Sequence, residues 1–427
     1  MSDLFAPAAA SNHHGQSGPR IHDACEVSHE TCLIIDNGTG FIKAGLSTAK
    51  MEPTVVIPTL VGRPKPRFAC EFEKADERFV GDAIDAVREK LTFEEPIVHG
   101  AIEDWMEMEE LWSIVFDSLG VMPDPSAMPQ DAQHHGAASS SPVLLTEPPL
   151  TPSRSSIRSA EIMFEYFRAP ELRLATQGVL ALLGLGKTTG VVVEMGDAIT
   201  QVVPVYDGYA LRHGIRRVDL GGQDITMLLQ RALCDRGYPL TTRTHQLQVR
   251  RMKENCCFVA QCPESASHQS AESLQVAHEL SFSLSNHESV VCLDHERYLC
   301  PEVLFHPSLI HRELPGLGQL VWQAIESAEI DTRQSLWKNI FLTGGSSLFS
   351  GLQERLQTEV AQYAPEKSSK RVTVHAWEGR EHAVYQGAAQ VCAPSIKALE
   401  SDLWIKASEY AEEGPNIVQR KAMMRYN

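Results

Sequence analysis

The stretch Thr31 to Gly45 reads T-C-L-I-I-D-N-G-T-G-F-I-K-A-G, and the rest of the chain is organised around it. Leu33-Ile34-Ile35 is a short apolar run that predicts a buried strand. It stops at Asp36-Asn37-Gly38-Thr39-Gly40, where two glycines let backbone N–H groups point inward at close range. Phe41-Ile42-Lys43-Ala44-Gly45 resumes as a second strand. The result is a hairpin whose tip carries a carboxylate, a hydroxyl and bare amide donors, with a lysine just behind. That set suits a phosphate chain and its metal ion. The same residues also fit an ordinary Asn-Gly hairpin with a surface lysine. The stretch alone leaves both readings open.

A second stretch repeats the logic about 160 residues later. Val191-Val192-Val193 runs into Glu194-Met195-Gly196-Asp197-Ala198, and Ile199 to Val205 continues extended to a turn at Tyr206–Tyr209. A repeat on this scale predicts two similar halves facing each other. A third glycine turn, Thr343-Gly344-Gly345-Ser346, follows the apolar strand Asn339–Leu342. Two such hairpins can clamp a polyphosphate from both sides, and the third turn could then admit a nucleoside against bare backbone. By contrast, Gly184-Leu185-Gly186-Lys187-Thr188-Thr189 imitates a P-loop only superficially. That motif requires glycine where Ala181 stands, and the order strand, loop, helix. Here a helical segment precedes and a strand follows, so a helix C-cap and turn is expected.

The bulk properties limit the remaining choices. The chain has 427 residues, 43% hydrophobic and 22% charged, enough for two domains of ordinary globular composition. A net charge of −17 argues against direct, sequence-neutral nucleic-acid binding. The ten cysteines show no C-x-x-C spacing and read as reduced thiols of a cytosolic or nuclear protein. No apolar run reaches the roughly 20 residues of a membrane span. Residues 1–30 read as a disordered N-terminal tail, with His13-His14 better taken as solvated than as metal ligands. Ile102–Leu119 reads as an amphipathic helix whose tryptophans belong to the core. Residues 121–142 read as a surface insertion rich in turn formers.

Taken together the motifs resemble actin and the actin-related proteins, from about Cys32 to Lys421. The resemblance rests on D-N-G-T-G-F-I-K-A-G, V-G-R-P at Val61–Pro64, V-G-D at Val80–Asp82 and P-V-L-L-T-E at Pro142–Glu147. It continues through T-T-G-V-V-V at Thr188–Val193, V-P-V-Y-D-G-Y-A-L at Val203–Leu211, Lys253-Glu254 and P-E-V-L-F at Pro301–Phe305. It ends with G-G-S-S-L-F at Gly344–Phe349, W-I-K at Trp404–Lys406 and G-P-N-I-V-Q-R-K at Gly414–Lys421.

The resemblance implies an α/β actin-like ATPase fold, two ribonuclease-H-like domains around a nucleotide cleft. The first would comprise 31–184 plus 383–427 and the second 185–382. It implies ATP or ADP with Mg²⁺ as cofactors. Asp36 and Glu194 would hold the metal through water. Gly38, Thr39, Gly40, Lys43, Gly196, Asp197 and Ala198 would meet the phosphates. Gly222, Lys253, Glu254, Gly344, Gly345 and Phe349 would line the nucleoside pocket. Gln177 would position the attacking water.

The sequence also departs from the family pattern. Glu194 stands where aspartate is usual, Ala198 replaces a glycine, Gln201 replaces a histidine near the hydrolytic water, and Glu381 replaces a lysine beside the adenine. These departures imply retained nucleotide binding with slow or absent hydrolysis. The segment Lys65–Arg78 is charged where actin's subunit-contacting loop is rich in glycine and methionine, which argues against conventional self-polymerisation. The expected role is an ATP-binding cytoskeletal component in the cytoplasm, a subunit of an actin-based or dynactin-like assembly. Its partners would be actin, other actin-related proteins and their complex subunits. The alternative is a nuclear scaffold subunit of a chromatin-remodelling complex. Ile330–Arg333 and Arg216-Arg217 resemble the branching-complex protein, while Gly414–Lys421 is nearer actin and centractin, so the subfamily stays open.

Overall fold

The computed structural model describes residues 31–47, 51–72, 74, 77–81, 83–121, 141–261, 279–284, 287–369 and 371–423. The tail 1–30 and most of the 121–142 insertion lie outside the described residues, as does part of Lys65–Arg78.

The opening stretch forms the hairpin expected of it: β1 (Leu33–Asn37) pairs antiparallel with β2 (Phe41–Leu46), and β3 (Val55–Pro58) adds to β2. On its other edge β1 pairs in parallel with β4 (Val143–Glu147), and β4 in parallel with β5 (Glu171–Thr176). The short strand Ile405–Lys406 closes that edge. Strands β1 and β4 are buried along their whole length. This is why Leu33–Ile35 reads as a continuous apolar run rather than an alternating one.

The second sheet repeats the plan. β6 (Gly190–Met195) and β7 (Thr200–Tyr206) form the antiparallel hairpin, and Tyr209–Ala210 extends it. β6 then pairs in parallel with β8 (Ile340–Thr343), which pairs in parallel with Val374–His375. Strand Arg216–Val218 adds to β7. Both sheets therefore run through two parallel strands into an antiparallel hairpin with a third strand beyond it.

Helix α1 (Trp105–Ser118) backs the first hairpin. Asp104 caps it by accepting from the amides of Met106 and Glu107. Met108, Leu111, Trp112, Val115 and Phe116 bury one face, the helical period read from the sequence. Trp112 is core, as expected, but its Nε1 also donates to Asn37 Oδ1 at 3.1 Å, so the helix fixes the end of β1.

Two helices lie between the sheets. α2 (Gln177–Leu183) and α5 (Ala383–Val391) pack together, and their apolar residues share one core with Ile34 and Leu144 of the first sheet and Val192, Val203 and Phe341 of the second. The crossing is tight: a Cβ at Gly387 would collide with the Leu180 carbonyl oxygen, and one at Gly184 would sit 2.9 Å from the Gly387 amide. Gly184–Thr189 is the turn that leaves α2, and β6 starts immediately after it, as the failed P-loop pattern implied.

Residues 153–166 form one helical segment of two kinds. The α-helix runs Ser153–Glu161 and widens into a π-turn over Ile162–Tyr166, which carries Ile162, Met163 and Phe164 into the core. The α-helix Ile330–Lys338 was not apparent as a helix in the sequence, because its polar residues mask the period.

The crossing predicts a large asymmetry between glycine substitutions. Gly387→Ala is expected to cost about 3 kcal/mol through overpacking against backbone. Gly345→Ala, which faces no atom within 4 Å, is expected to change stability by less than about 0.5 kcal/mol. Chemical denaturation of the two variants measures this; equal effects would contradict the described crossing.

Candidate functional site

The two hairpins meet between the sheets. In the first, Asp36 lies directly opposite Lys43 in the β1–β2 register, which puts carboxylate and ammonium on one face. Lys43 Nζ stands 4.0 Å from Asp36 Oδ2 and donates to the Glu381 carbonyl at 2.5 Å. In the second, Glu194 lies opposite Gln201 in the β6–β7 register. Gln201 thus occupies the place in the second hairpin that Lys43 occupies in the first. The hairpin tips touch: a Cβ on Gly40 would lie 2.9 Å from the Asp197 Cβ.

Asp36 is held from behind. Thr146 Oγ1 donates to its Oδ1 at 2.7 Å, and Gln177 Nε2 donates to the same oxygen at 3.2 Å and to the Asn37 carbonyl at 3.1 Å. The amide of Gln177 is therefore engaged with Asp36 and its neighbour. Thr39 Oγ1 accepts from the Gly100 amide at 3.2 Å.

The second hairpin is knitted to the third glycine turn and to helix α3 (Gly222–Asp235). The Gly222 amide donates to the Gly196 carbonyl at 3.1 Å, and Ser346 Oγ donates to the same carbonyl at 2.7 Å. Lys253, on α4 (Arg243–Cys256), donates to the Gly222 carbonyl at 2.8 Å. Gly344 has φ of 85°, and a side chain there would meet the Met195 carbonyl, so glycine is required where β8 ends against β6.

These elements enclose a cavity of about 620 Å³. Asp36, Gly38, Thr39, Gly40, Lys43, Gln177, Glu194, Gly196, Asp197, Lys253, Glu254, Gly344, Gly345 and Phe349 all line it. Ala198 and Gly222 do not. Ala198 is buried behind the turn while Ile199 faces the cavity, and Gly222 lies behind Ser346 and Lys253. A second depression, of about 590 Å³, lies by His99, Arg217, Asp219 and Arg312, where the arginines are already bonded to backbone and carboxylate groups. The inter-sheet cavity, with its glycine turns and unpaired polar atoms, is the candidate site.

Sequence reasoning assigned no role to Arg250, which lies on α4. Its guanidinium stacks 4.6 Å over the Phe41 ring, lies 3.4 Å from Asp197 Oδ1, and bonds Glu254 Oε1 at 3.0 Å. It thus ties α4 to both hairpins. A cation four residues before Glu254 was the available signal. His382, which also lines the cavity, gave none.

The electrostatics single out Glu194. Burial pushes its carboxyl up to about 8, and the nearby Asp36 charge adds to that, opposed by Lys43. Glu194 Oε2 and Gln201 Oε1 are both buried without a hydrogen-bond partner among the described residues. Two carboxylates and an amide oxygen facing one space, with acceptor atoms left over, fit a hard, oxygen-seeking divalent cation such as Mg²⁺. Burial also lowers the Lys253 ammonium.

The Glu194 shift has a definite sign. An acid whose folded pKa lies near 8, against an ordinary 4.5, binds its proton more tightly in the folded protein. Stability from this group is fully present below the ordinary value and is lost as pH rises towards 8. Without divalent cation, the difference in stability between wild type and Glu194→Gln should therefore change across this window, with a slope of up to about one proton. Added Mg²⁺ should shrink it. Denaturation across this range checks both statements; a pH-independent difference would contradict them.

Comparison with known protein families agrees with this geometry. The family model described as Actin matches residues 27–423, nearly the whole chain. Members of that family generally bind ATP or ADP with a divalent metal, and among the described residues no helix is long and apolar enough to cross a membrane. With two matched hairpins across one cleft and a match of this extent, the chain belongs to the actin family.

Proposed function

We propose that this chain is a divergent actin-related protein that holds ATP or ADP with Mg²⁺ in the inter-sheet cavity and hydrolyses ATP slowly or not at all. The observation that carries the reading is the inequality of the two hairpins. The first presents Asp36 and Lys43 side by side, with Gly38–Gly40 at the tip. The second presents Glu194 and Gln201, both with buried unpaired oxygens.

In this reading Lys43, Thr39 and the backbone at Gly40, Gly196 and Asp197 hold phosphate oxygens, since amides and an ammonium at close range suit dispersed negative charge. Asp36 and Glu194 hold the metal through its waters. The metal, when bound, supplies charge screening for the phosphates. Gln177 orients Asp36. An amide at position 201 neither takes up nor releases a proton at neutral pH, so water near the phosphate end lacks the imidazole that the family places there. Lys253, Glu254, Gly344, Gly345 and Phe349 enclose the nucleoside.

The units 31–184 plus 383–427 and 185–382 would close on the nucleotide about the α2–α5 crossing, and closure would alter outward surfaces. The role is a subunit of an actin-based or dynactin-like assembly in the cytoplasm. Its partners are actin, other actin-related proteins or their complex subunits. The charged segment after Pro64 supports a chain that does not build conventional filaments. Recovery of helicase-type remodeller subunits from cells, in place of these partners, would replace this role with a nuclear scaffold.

Equilibrium binding of Mg-ATP with phosphate release no faster than blank is the expected result, and actin-like turnover would overturn it. Lys43→Ala is expected to weaken nucleotide binding by about tenfold or more, the loss of one charge-assisted contact to phosphate. The double variant Glu194→Asp/Gln201→His is expected to raise phosphate release above that of wild type. No change in the double variant would show that the second hairpin is not what limits turnover.

A further inference from the structure

The polar contacts that Lys43 and Arg250 make across the cleft lie in the cavity wall. A further ion pair joins the two units outside that wall. Glu95 follows the strand Leu91–Glu94 in the first unit, and Arg243 opens α4 in the second. Arg243 Nη2 pairs with Glu95 Oε1. The pair borders a small cavity of about 70 Å³, which shares Thr39, Gly40, Asp197 and Arg250 with the larger one. Neither Glu95 nor Arg243 lines the larger cavity itself.

The arginine is not explained by its own helix. It is the first residue of α4, whose N-cap Thr242 accepts from the His245 amide at 3.2 Å. The free amides of a helix start carry partial positive charge, so a carboxylate is favoured there and a cation is not. Burial adds to the penalty and lowers the Arg243 guanidinium below its ordinary value. The carboxylate that offsets both effects comes from the other side of the cleft. Pro96 follows Glu95 and restricts its backbone to extended conformations, so the carboxylate is carried on a stiff segment. The Arg243 and Glu95 side chains remain 43% and 34% exposed. Breaking the pair rehydrates both groups, so the contact is weak enough to open repeatedly.

We propose that the Glu95–Arg243 pair is a latch across the cleft that slows the release of bound nucleotide. This rests on the nucleotide reading of the cavity given above. Thr39 and Gly40, which hold phosphate in that reading, line the same small cavity as the pair. Parting the units draws α4 away from the first hairpin and separates Arg243 from Glu95. The pair is made in the closed arrangement alone, so its loss raises the open population and nucleotide release with it. Its two members are protein groups, and the latch therefore acts without contact to the nucleotide or the metal.

The test is the rate of nucleotide release from the full-length chain, loaded with radiolabelled Mg-ATP and chased with excess unlabelled Mg-ATP. Glu95→Gln and Arg243→Gln should each release ATP about threefold faster than wild type, the size expected of one partly exposed ion pair. The two variants change net charge in opposite directions, so a general effect of the protein's field on the ATP anion would move their rates apart. The double variant Glu95→Gln/Arg243→Gln should release ATP no faster than either single variant, because all three have lost the same contact. The charge-swapped variant Glu95→Arg/Arg243→Glu should return towards the wild-type rate, and it guards against a folding defect. Unchanged release in both single variants would overturn the latch and leave the nucleotide reading standing. So would single variants shifted in opposite directions, additive effects in the double variant, or a swapped variant as fast as the singles. Failure of wild type to bind ATP at all would overturn the nucleotide reading itself, and the latch with it.

Discussion

Two carboxylates, Asp36 and Glu194, are brought out of water at one point between two sheets, and the rest of the site follows from how that is tolerated. Each sits at the end of a fully or mostly buried strand, where the backbone is committed to sheet pairing and cannot move to relieve the charge. Asp36 is compensated: Thr146 and Gln177 donate to it and Lys43 lies beside it. Glu194 is not compensated in the same way. Its cross-strand neighbour is an amide rather than an ammonium, and one of its oxygens has no partner. The protein keeps a partly unpaid desolvation penalty here, and a bound cation is the group whose chemistry relieves it.

The architecture makes this arrangement possible by repetition. Two sheets of the same strand plan present their hairpins towards each other, and α2 and α5 fill the space between them. Gly387 and Gly184 let those helices approach within backbone contact, so the distance between the sheets is set by main chain rather than by long side chains. Arg250, stacked on Phe41 and paired near Asp197, adds a polar tie across the cleft mouth that loosens at lower cost.

Much of this was legible in the sequence, for reasons that differ by element. The first hairpin alone was ambiguous; the recurrence of apolar strand, acid and glycine turn after Val193 is what made the pair legible as two similar halves. The amphipathic helix at Trp105–Ser118 showed its period plainly. Less accessible were features that depend on register and distance. That Gln201 lies opposite Glu194 as Lys43 lies opposite Asp36 is a pairing fact, visible only once the strands are aligned. Ala198 looked like a phosphate neighbour by its place in the turn, but the turn directs Ile199 to the cavity and buries Ala198 behind it. His382 carried no signal because a lone histidine beside a glutamate has no spacing to read, and its unpaired nitrogen is a property of the folded wall.

The central claim is that the unequal hairpins hold a metal-bound nucleotide and leave it intact. Its most direct test is the nucleotide content of the full-length protein after equilibration with Mg-ATP, removal of excess ligand, prolonged incubation, denaturation and chromatography of the released nucleotide. The account predicts near-stoichiometric nucleotide recovered as ATP. Protein that retains no nucleotide, or that yields ADP at the rate of an actin-like enzyme, would contradict it.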